Sequence, residues 1–148
     1  MLEVSHIHKT YNPGTVREKT LFQDFSLSIP DGQFVSVVGS NGSGKTSLLN
    51  ILCGSIPVDS GKVIMDGRDI TKEKEHIRSR LIGRVYQNPS MGTCGSMTIL
   101  ENLSLAEHKG KPSNLRLGTD RKRIPYYQEL LRPLNLGLEN MLESRVGS

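Results

Sequence analysis

The residues with the clearest chemistry are Gly39-Ser40-Asn41-Gly42-Ser43-Gly44-Lys45-Thr46-Ser47, in the pattern G-x-x-x-x-G-K-[ST]. Glycines in such a loop allow backbone angles closed to other residues and let the main chain approach an anion without a Cβ in the way. Successive amide N–H groups then converge at a helix N-terminus, where the helix dipole also favours negative charge. Lys45 has the reach for the terminal phosphates of a nucleotide, and the Thr46 hydroxyl is a ligand type suited to Mg²⁺. These residues read as a nucleotide-phosphate site. The alternative, a Gly/Ser-rich turn with a chance lysine, leaves the flanking pattern unexplained.

That chemistry needs a strand before the loop and a helix after it. The apolar run Phe34-Val35-Ser36-Val37-Val38 supplies the strand signal, and the spacing from about Thr46 to Cys53 predicts the helix, with Gly54 as its C-cap. Upstream, Leu2 to His8 and Leu21 to Ile29 alternate apolar and polar residues, and Pro30-Asp31-Gly32 marks a turn. An antiparallel sheet laid against the nucleotide core is therefore expected. Downstream, Lys62-Val63-Ile64-Met65 reads as a short strand closed by the hairpin pair Asp66-Gly67. Helical spacing is expected over Lys72 to Leu81, Thr98 to His108, Tyr126 to Leu134 and Leu138 to Leu142. Ile82 to Gln87 reads as a strand, and Lys109 to Lys122 as an exposed loop.

The chain has 148 residues, 35% of them hydrophobic, enough for one domain with its own core. A net charge of +4 suits a phosphate binder without arguing for nucleic acid, and Arg121-Lys122-Arg123 reads as a solvated loop face. Cys53 and Cys94 have no metal-ligand spacing. No signal-peptide pattern opens the chain, and no apolar run approaches the ~20 residues a membrane span requires. A reduced, cytoplasmic setting is expected.

The phosphate loop and three further stretches together resemble the ATP-binding subunits of ABC (ATP-binding cassette) transporters. Ile7-His8-Lys9-Thr10-Tyr11 is similar to the lead-in to that family's A-loop, where an aromatic ring stacks on adenine. The run from Pro57 through Ser60-Gly61 to Asp66-Gly67 resembles its P-x-x-G-x-v-x-x-d-G stretch. Val85-Tyr86-Gln87-Asn88-Pro89 resembles its Q-loop. Taken alone, Tyr11 is a strand-end aromatic and Gln87 a surface amide. The resemblance implies that Tyr11 stacks on the base and that Gln87 senses Mg²⁺ and the attacking water. It implies ATP and Mg²⁺ as cofactors, with Gly39, Ser40, Asn41, Gly42, Ser43, Gly44, Lys45, Thr46 and Ser47 around the phosphates, and Thr46 and Gln87 toward the metal. The stretch from Asn88 to Thr93, with Met97 to Leu103, looks most like cassettes of bacterial small-solute uptake systems.

The implied fold class is α/β, a P-loop NTPase of ABC type represented by its N-terminal part. Residues 1–87 would form the β-subdomain and an incomplete phosphate-loop core, and 88–148 the start of a helical subdomain. The implied partners are ATP, a second cassette subunit and the transmembrane subunits of a transporter, with no nucleic acid. The chain would then sit at the cytoplasmic face of the membrane through those subunits.

The family's signature, Walker B segment, catalytic glutamate and switch histidine find no counterpart here. Ser144-Arg145-Val146-Gly147-Ser148 resembles the lead-in to the signature, and a truncated cassette is expected. Val63-Ile64-Met65-Asp66 mimics Walker B, but Gly67 follows it and no glutamate adjoins it, so the hairpin reading is preferred. Two activities stay open: an ABC-type ATPase in complete form, and a binding-only module without turnover. A soluble P-loop enzyme is the reading from another class. No N-K-x-D base-reading motif supports a GTPase, and no cysteine clusters support a zinc-bearing DNA-repair cassette. Truncation would also deprive Phe34 to Val38 of flanking parallel strands, leaving a sheet edge and apolar surface exposed.

Overall fold

A computed structural model describes residues 1–109 and 118–147. Most of the expected loop from Lys109 to Lys122 lies outside the described residues. The chain divides into two compact units, Met1–Gly83 and Arg84–Ser148.

The first unit is built on strands β1 (Leu2–Tyr11), β2 (Lys19–Ile29), β3 (Ser60–Met65) and β4 (Arg68–Asp69). They form one antiparallel sheet in the order β2-β1-β3-β4. Helix α1 (Lys45–Cys53) buries Leu48, Ile51 and Leu52 with Val4 and Ile7 of β1, Val63 of β3, and Ile70. Strict alternation would send Val4 and Ile7 to opposite faces, because they are three residues apart. His6, at φ 50°, sits where the β1–β2 register shifts, and this irregularity returns Ile7 to the core side. Asp24 of β2, at φ 56°, meets it, with its carboxylate 2.5 Å from His6 Nδ1.

Both ends of the β3–β4 hairpin agree with its sequence. Asp66 and Gly67 take φ 51° and 76° between the paired residues Met65 and Arg68, as a two-residue turn of right-handed strand twist requires. The Asp66 carboxylate engages the Met1 amino group. Asp66 is therefore a turn residue, and its Walker-B-like surroundings are coincidental.

Helix α1 ends at Gly54, in the left-handed conformation, whose N–H bonds Asn50 O and Ile51 O. One buried side chain also reaches this helix end, sharing Ile51 O and taking Leu52 O. Arg78, 3% exposed, closes the short helix α2 (Glu75–Arg78). Its Nη1 donates to Ile51 O (2.7 Å) and Leu52 O (3.0 Å), its Nη2 to Thr71 O (2.7 Å) and its Nε to Glu73 O (3.1 Å). The helix expected over Lys72 to Leu81 thus shrinks to four residues, arranged to deliver this guanidinium.

The second unit holds helices α3 (Ile99–Glu107) and α4 (Ile124–Leu131) around Leu100, Tyr127, Leu131 and Leu142. A reciprocal capping box opens α3: Glu101 N donates to Thr98 Oγ1 (3.2 Å), and Thr98 N donates to Glu101 Oε2 (2.7 Å). Helix α4 continues into a 3-10 turn at Arg132–Leu134, and the expected helix at Leu138 to Leu142 is a 3-10 turn at Leu138–Asn140. The tail is tied back along the α3 lead-in by Leu100 N to Leu142 O (2.9 Å), Ile99 N to Ser144 O (3.0 Å) and Val146 N to Met97 O (3.1 Å).

Two expected strands do not form. Phe34 to Val38 lies in no sheet, and Phe34 and Val38 are 95% and 88% exposed. Ile82 to Gln87 likewise carries no strand, with Val85 99% exposed. The physical reason is shared. A strand exists through a neighbour that takes its N–H and C=O groups, and among the described residues no strand lies alongside either segment.

Arg78→Met keeps the aliphatic stem and removes every donor, leaving buried carbonyls unpaired. It is expected to lower the unfolding free energy by about 2–4 kcal/mol. The measurement is the urea midpoint, at an unchanged slope. A midpoint equal to that of the parent would mean that water serves these carbonyls equally well.

Candidate functional site

The phosphate loop enters from residues without regular structure and feeds directly into α1, with Gly44 at the N-cap. Gly44 has φ 99°, and a Cβ there would stand 3.0 Å from Leu21 Cδ1 and 3.3 Å from Phe22 Cζ. Glycine is thus required both by conformation and by the close approach of β2. The first helical bond runs from Leu48 N to Gly44 O (2.8 Å). Among the described residues, the N–H groups of Lys45, Thr46 and Ser47 have no backbone acceptor, as the first turn of a helix dictates. Three donors and the positive end of the helix dipole therefore face one small region.

Lys45 folds back over its own loop, donating from Nζ to Gly39 O (2.7 Å) and Ser40 O (2.8 Å). Ser43 N donates to Ser40 O (3.2 Å), closing the turn between them. The ammonium is thus held over the loop by neutral acceptors, and among the described residues it makes no ion pair with a carboxylate.

Tyr11, the last residue of β1, is brought to the same place. It is half-buried, and its hydroxyl makes a long contact of 3.5 Å to Ser47 Oγ. The ring has Lys9 Nζ 5.6 Å from its centroid. What fixes this strand end is Asp59, a residue with no assigned role in the sequence pattern. Its carboxylate accepts from Lys9 Nζ (2.8 Å) and Thr10 N (2.6 Å), while Asp59 N donates to His8 O (2.9 Å). Lys19 was equally silent in the sequence: it lies opposite Tyr11 in the β1–β2 pairing and donates from Nζ to Gly42 O (3.3 Å).

Thr46 is exposed and its hydroxyl has no hydrogen-bond partner among the described residues. Among those residues there is also no group of three His, Cys, Asp or Glu side chains able to hold a metal. A metal at this loop would accordingly be held by a hydroxyl, by ligand oxygens and by water, the donor set Mg²⁺ favours. Gln87 belongs to the second unit, where it is exposed, between Tyr86, stacked under Arg84 at 4.5 Å, and the 3-10 turn Pro89–Met91. The first unit by itself therefore assembles Tyr11 and Gly39 to Ser47, and Gln87 is not among that set.

Asp59 is held below the ordinary carboxylate range, chiefly by the Lys9 hydrogen bond and then by the Thr10 N–H. A depressed folded-state pKa contributes stability above the unfolded value, and that contribution fades as pH falls through the folded one. The carboxylate is 45% exposed, so solvent screening limits its worth to less than about 1 kcal/mol. Asp59→Asn is expected to lower the melting temperature slightly at neutral pH, with the gap from the parent closing in acid. A gap that persists at low pH would assign the effect to packing rather than to charge.

A family model described as ABC transporter matches residues 22–146 of the chain. A tyrosine transport ATP-binding protein of Clostridioides difficile (strain R20291) is 41% identical over 146 residues, 99% of this chain and 58% of that protein. The ABC transporter ATP-binding protein YxdL of Bacillus subtilis (strain 168) is 34% identical over 151 residues, 98% of this chain and 53% of that protein. Among solved structures, a dimeric ATP-binding cassette in a post-hydrolysis state, bound to ADP and Pi, superposes with a TM-score of 0.74 at 25% identity. That match covers 98% of this chain and 61% of the other. A nucleotide-free cassette from an ABC transporter has a TM-score of 0.72 at 24% identity, over 100% of this chain and 58% of the other, a likeness of fold. The chain thus spans between about half and three-fifths of the length of these relatives.

Proposed function

This chain belongs to the ABC transporter family, and on that premise we propose that it is the ATP-binding part of a transporter subunit. In the complete cassette it couples ATP binding and hydrolysis to solute transport. The observation that carries this reading is the loop Gly39 to Ser47. Among the described residues it presents N–H groups without a backbone acceptor at the start of α1, and it holds the Lys45 ammonium over its own carbonyls.

The residues divide the nucleotide between them. The N–H groups of the first turn and Lys45 take the phosphates, with Lys45 leaving Gly39 O and Ser40 O for the stronger charge of phosphate oxygens. Tyr11 offers a rigid aromatic face to adenine. Bound Mg²⁺ would neutralise phosphate charge during transfer to water; on this reading the Thr46 hydroxyl would hold it, and the family resemblance gives Gln87, in the second unit, the role of sensing it. The partners that fit this role are a second cassette, as in the dimeric solved relative, and membrane-spanning subunits. No helix among the described residues is long and apolar enough to cross a membrane. On this reading residues 1–87 act as the β-subdomain and phosphate-loop core, four residues past the break between the compact units at Gly83, and 88–148 as the start of the helical subdomain.

Binding to the folded state alone raises stability by about 2.7 kcal/mol at a hundredfold excess of ligand over Kd. Melting with and without Mg·ATP is expected to show such a shift, and Lys45→Ala to weaken ATP by about 1.5–3 kcal/mol. Equal affinities in parent and variant would remove the phosphate assignment. Tyr11→Ala is expected to cost about 1–3 kcal/mol in ATP affinity, and Tyr11→Phe little, because stacking uses the ring face. A phenylalanine variant as weak as the alanine one would place the effect in the hydroxyl and its contact with Ser47.

A further inference from the structure

We propose that Lys19 is a second cationic contact of the nucleotide, meeting a phosphate oxygen on the side of the loop that faces Tyr11. This rests on the nucleotide-binding reading above and adds a residue that the phosphate-loop pattern does not contain.

Three observations place it there. Lys19 lies opposite Tyr11 in the β1–β2 pairing, so its Cα stands within one strand spacing of the base shelf. Its Nζ is 3.3 Å from Gly42 O, in the middle of the phosphate loop. Two and three residues further along β2, Leu21 and Phe22 crowd Gly44. The start of β2 therefore runs along the loop, and Lys19 occupies the gap between aromatic ring and cradle. A nucleotide with its base on Tyr11 and its terminal phosphates in the loop must cross that gap with its sugar and first phosphate.

Charge makes the same point. The Lys9 ammonium is neutralised by Asp59, and the neighbouring Glu18 carboxylate is engaged by Gly14 N at 2.7 Å. Lys19 makes no ion pair among the described residues, and its hydrogen-bond partner there is a neutral carbonyl. An ammonium has three donors, and Gly42 O uses one. The flexible four-carbon stem lets the charge move to an incoming oxygen without moving the strand. A mere strap, holding the loop to β2 through Gly42 O, would instead act on the protein before nucleotide arrives.

The experiment uses the 148-residue chain with Lys19→Met, Lys19→Arg and Lys45→Ala. Mg·ATP affinity is measured at low and high salt, alongside melting without nucleotide. Lys19→Met is expected to weaken ATP about five- to tenfold at low salt. The loss should shrink at high salt, as screening of an exposed charge requires. Lys19→Arg should recover most of the affinity, and melting without nucleotide should match the parent. An affinity within twofold of the parent overturns the proposal. So does a loss that is independent of salt, or one accompanied by an equal fall in melting without nucleotide, which would mark a strap. If Lys45→Ala also binds as the parent does, the phosphate-site reading falls together with this one. Normal sensitivity to Lys45→Ala with none to Lys19→Met overturns this proposal alone.

Discussion

Helix α1 cannot leave the sheet without exposing Leu48, Ile51 and Leu52, and the first unit depends on that constraint. At roughly 1.5–3 kcal/mol per buried aliphatic side chain, this face is the main attachment of the helix. Everything at its N-terminus inherits the position. The phosphate loop has no sheet of its own to hold it, so its place comes from the helix it opens and from the approach of Leu21 and Phe22 to Gly44. At the other end, Arg78 donates to Ile51 O, which it shares with the Gly54 N–H, and to Leu52 O. The charge of Arg78 is tolerable because four carbonyl oxygens surround it and Glu73 adds a favourable field.

The site is assembled from two strand ends and one helix start. Each has a different anchor. Asp59 clamps the end of β1 near Tyr11, the β1–β2 pairing sets Lys19 opposite it, and the α1 face sets the loop. No single element carries both the aromatic ring and the N–H donors of the loop. Their separation is therefore a property of the sheet register, and a slip of one residue in β1 would turn Tyr11 to the other face.

The second unit has a different logic. Its core is small, and its order comes from polar closure around that core. Thr98 and Glu101 close the start of α3, Glu107 accepts from Arg123 and from the Tyr127 hydroxyl, and the tail pairs with the residues leading into α3. The exposed apolar stretch from Phe34 to Val38 in the first unit stands in contrast. It is hydrophobic surface with no described strand beside it, the kind of surface that ordinarily meets another segment or chain.

By itself, the sequence determined the features whose physics is local. The loop pattern, the helix after it with Gly54 as cap and the Asp66-Gly67 hairpin each depend on residues within a few positions. The family resemblance belonged with them, because its motifs are short runs. Tertiary structure alone decided the rest. Phe34 to Val38 has the composition of a strand, but a strand is made by its neighbour, and composition carries no information about that neighbour. The pairing of Tyr11 with Lys19 depends on three register irregularities along β1, including the turn of His6 into positive φ, which alternation counted from Leu2 passes over. Asp59 and Arg78 carry no signal of their roles in the sequence. Ile51 lies 27 positions from Arg78 and Lys9 lies 50 from Asp59, and only the folded sheet and helix bring those atoms within hydrogen-bonding distance.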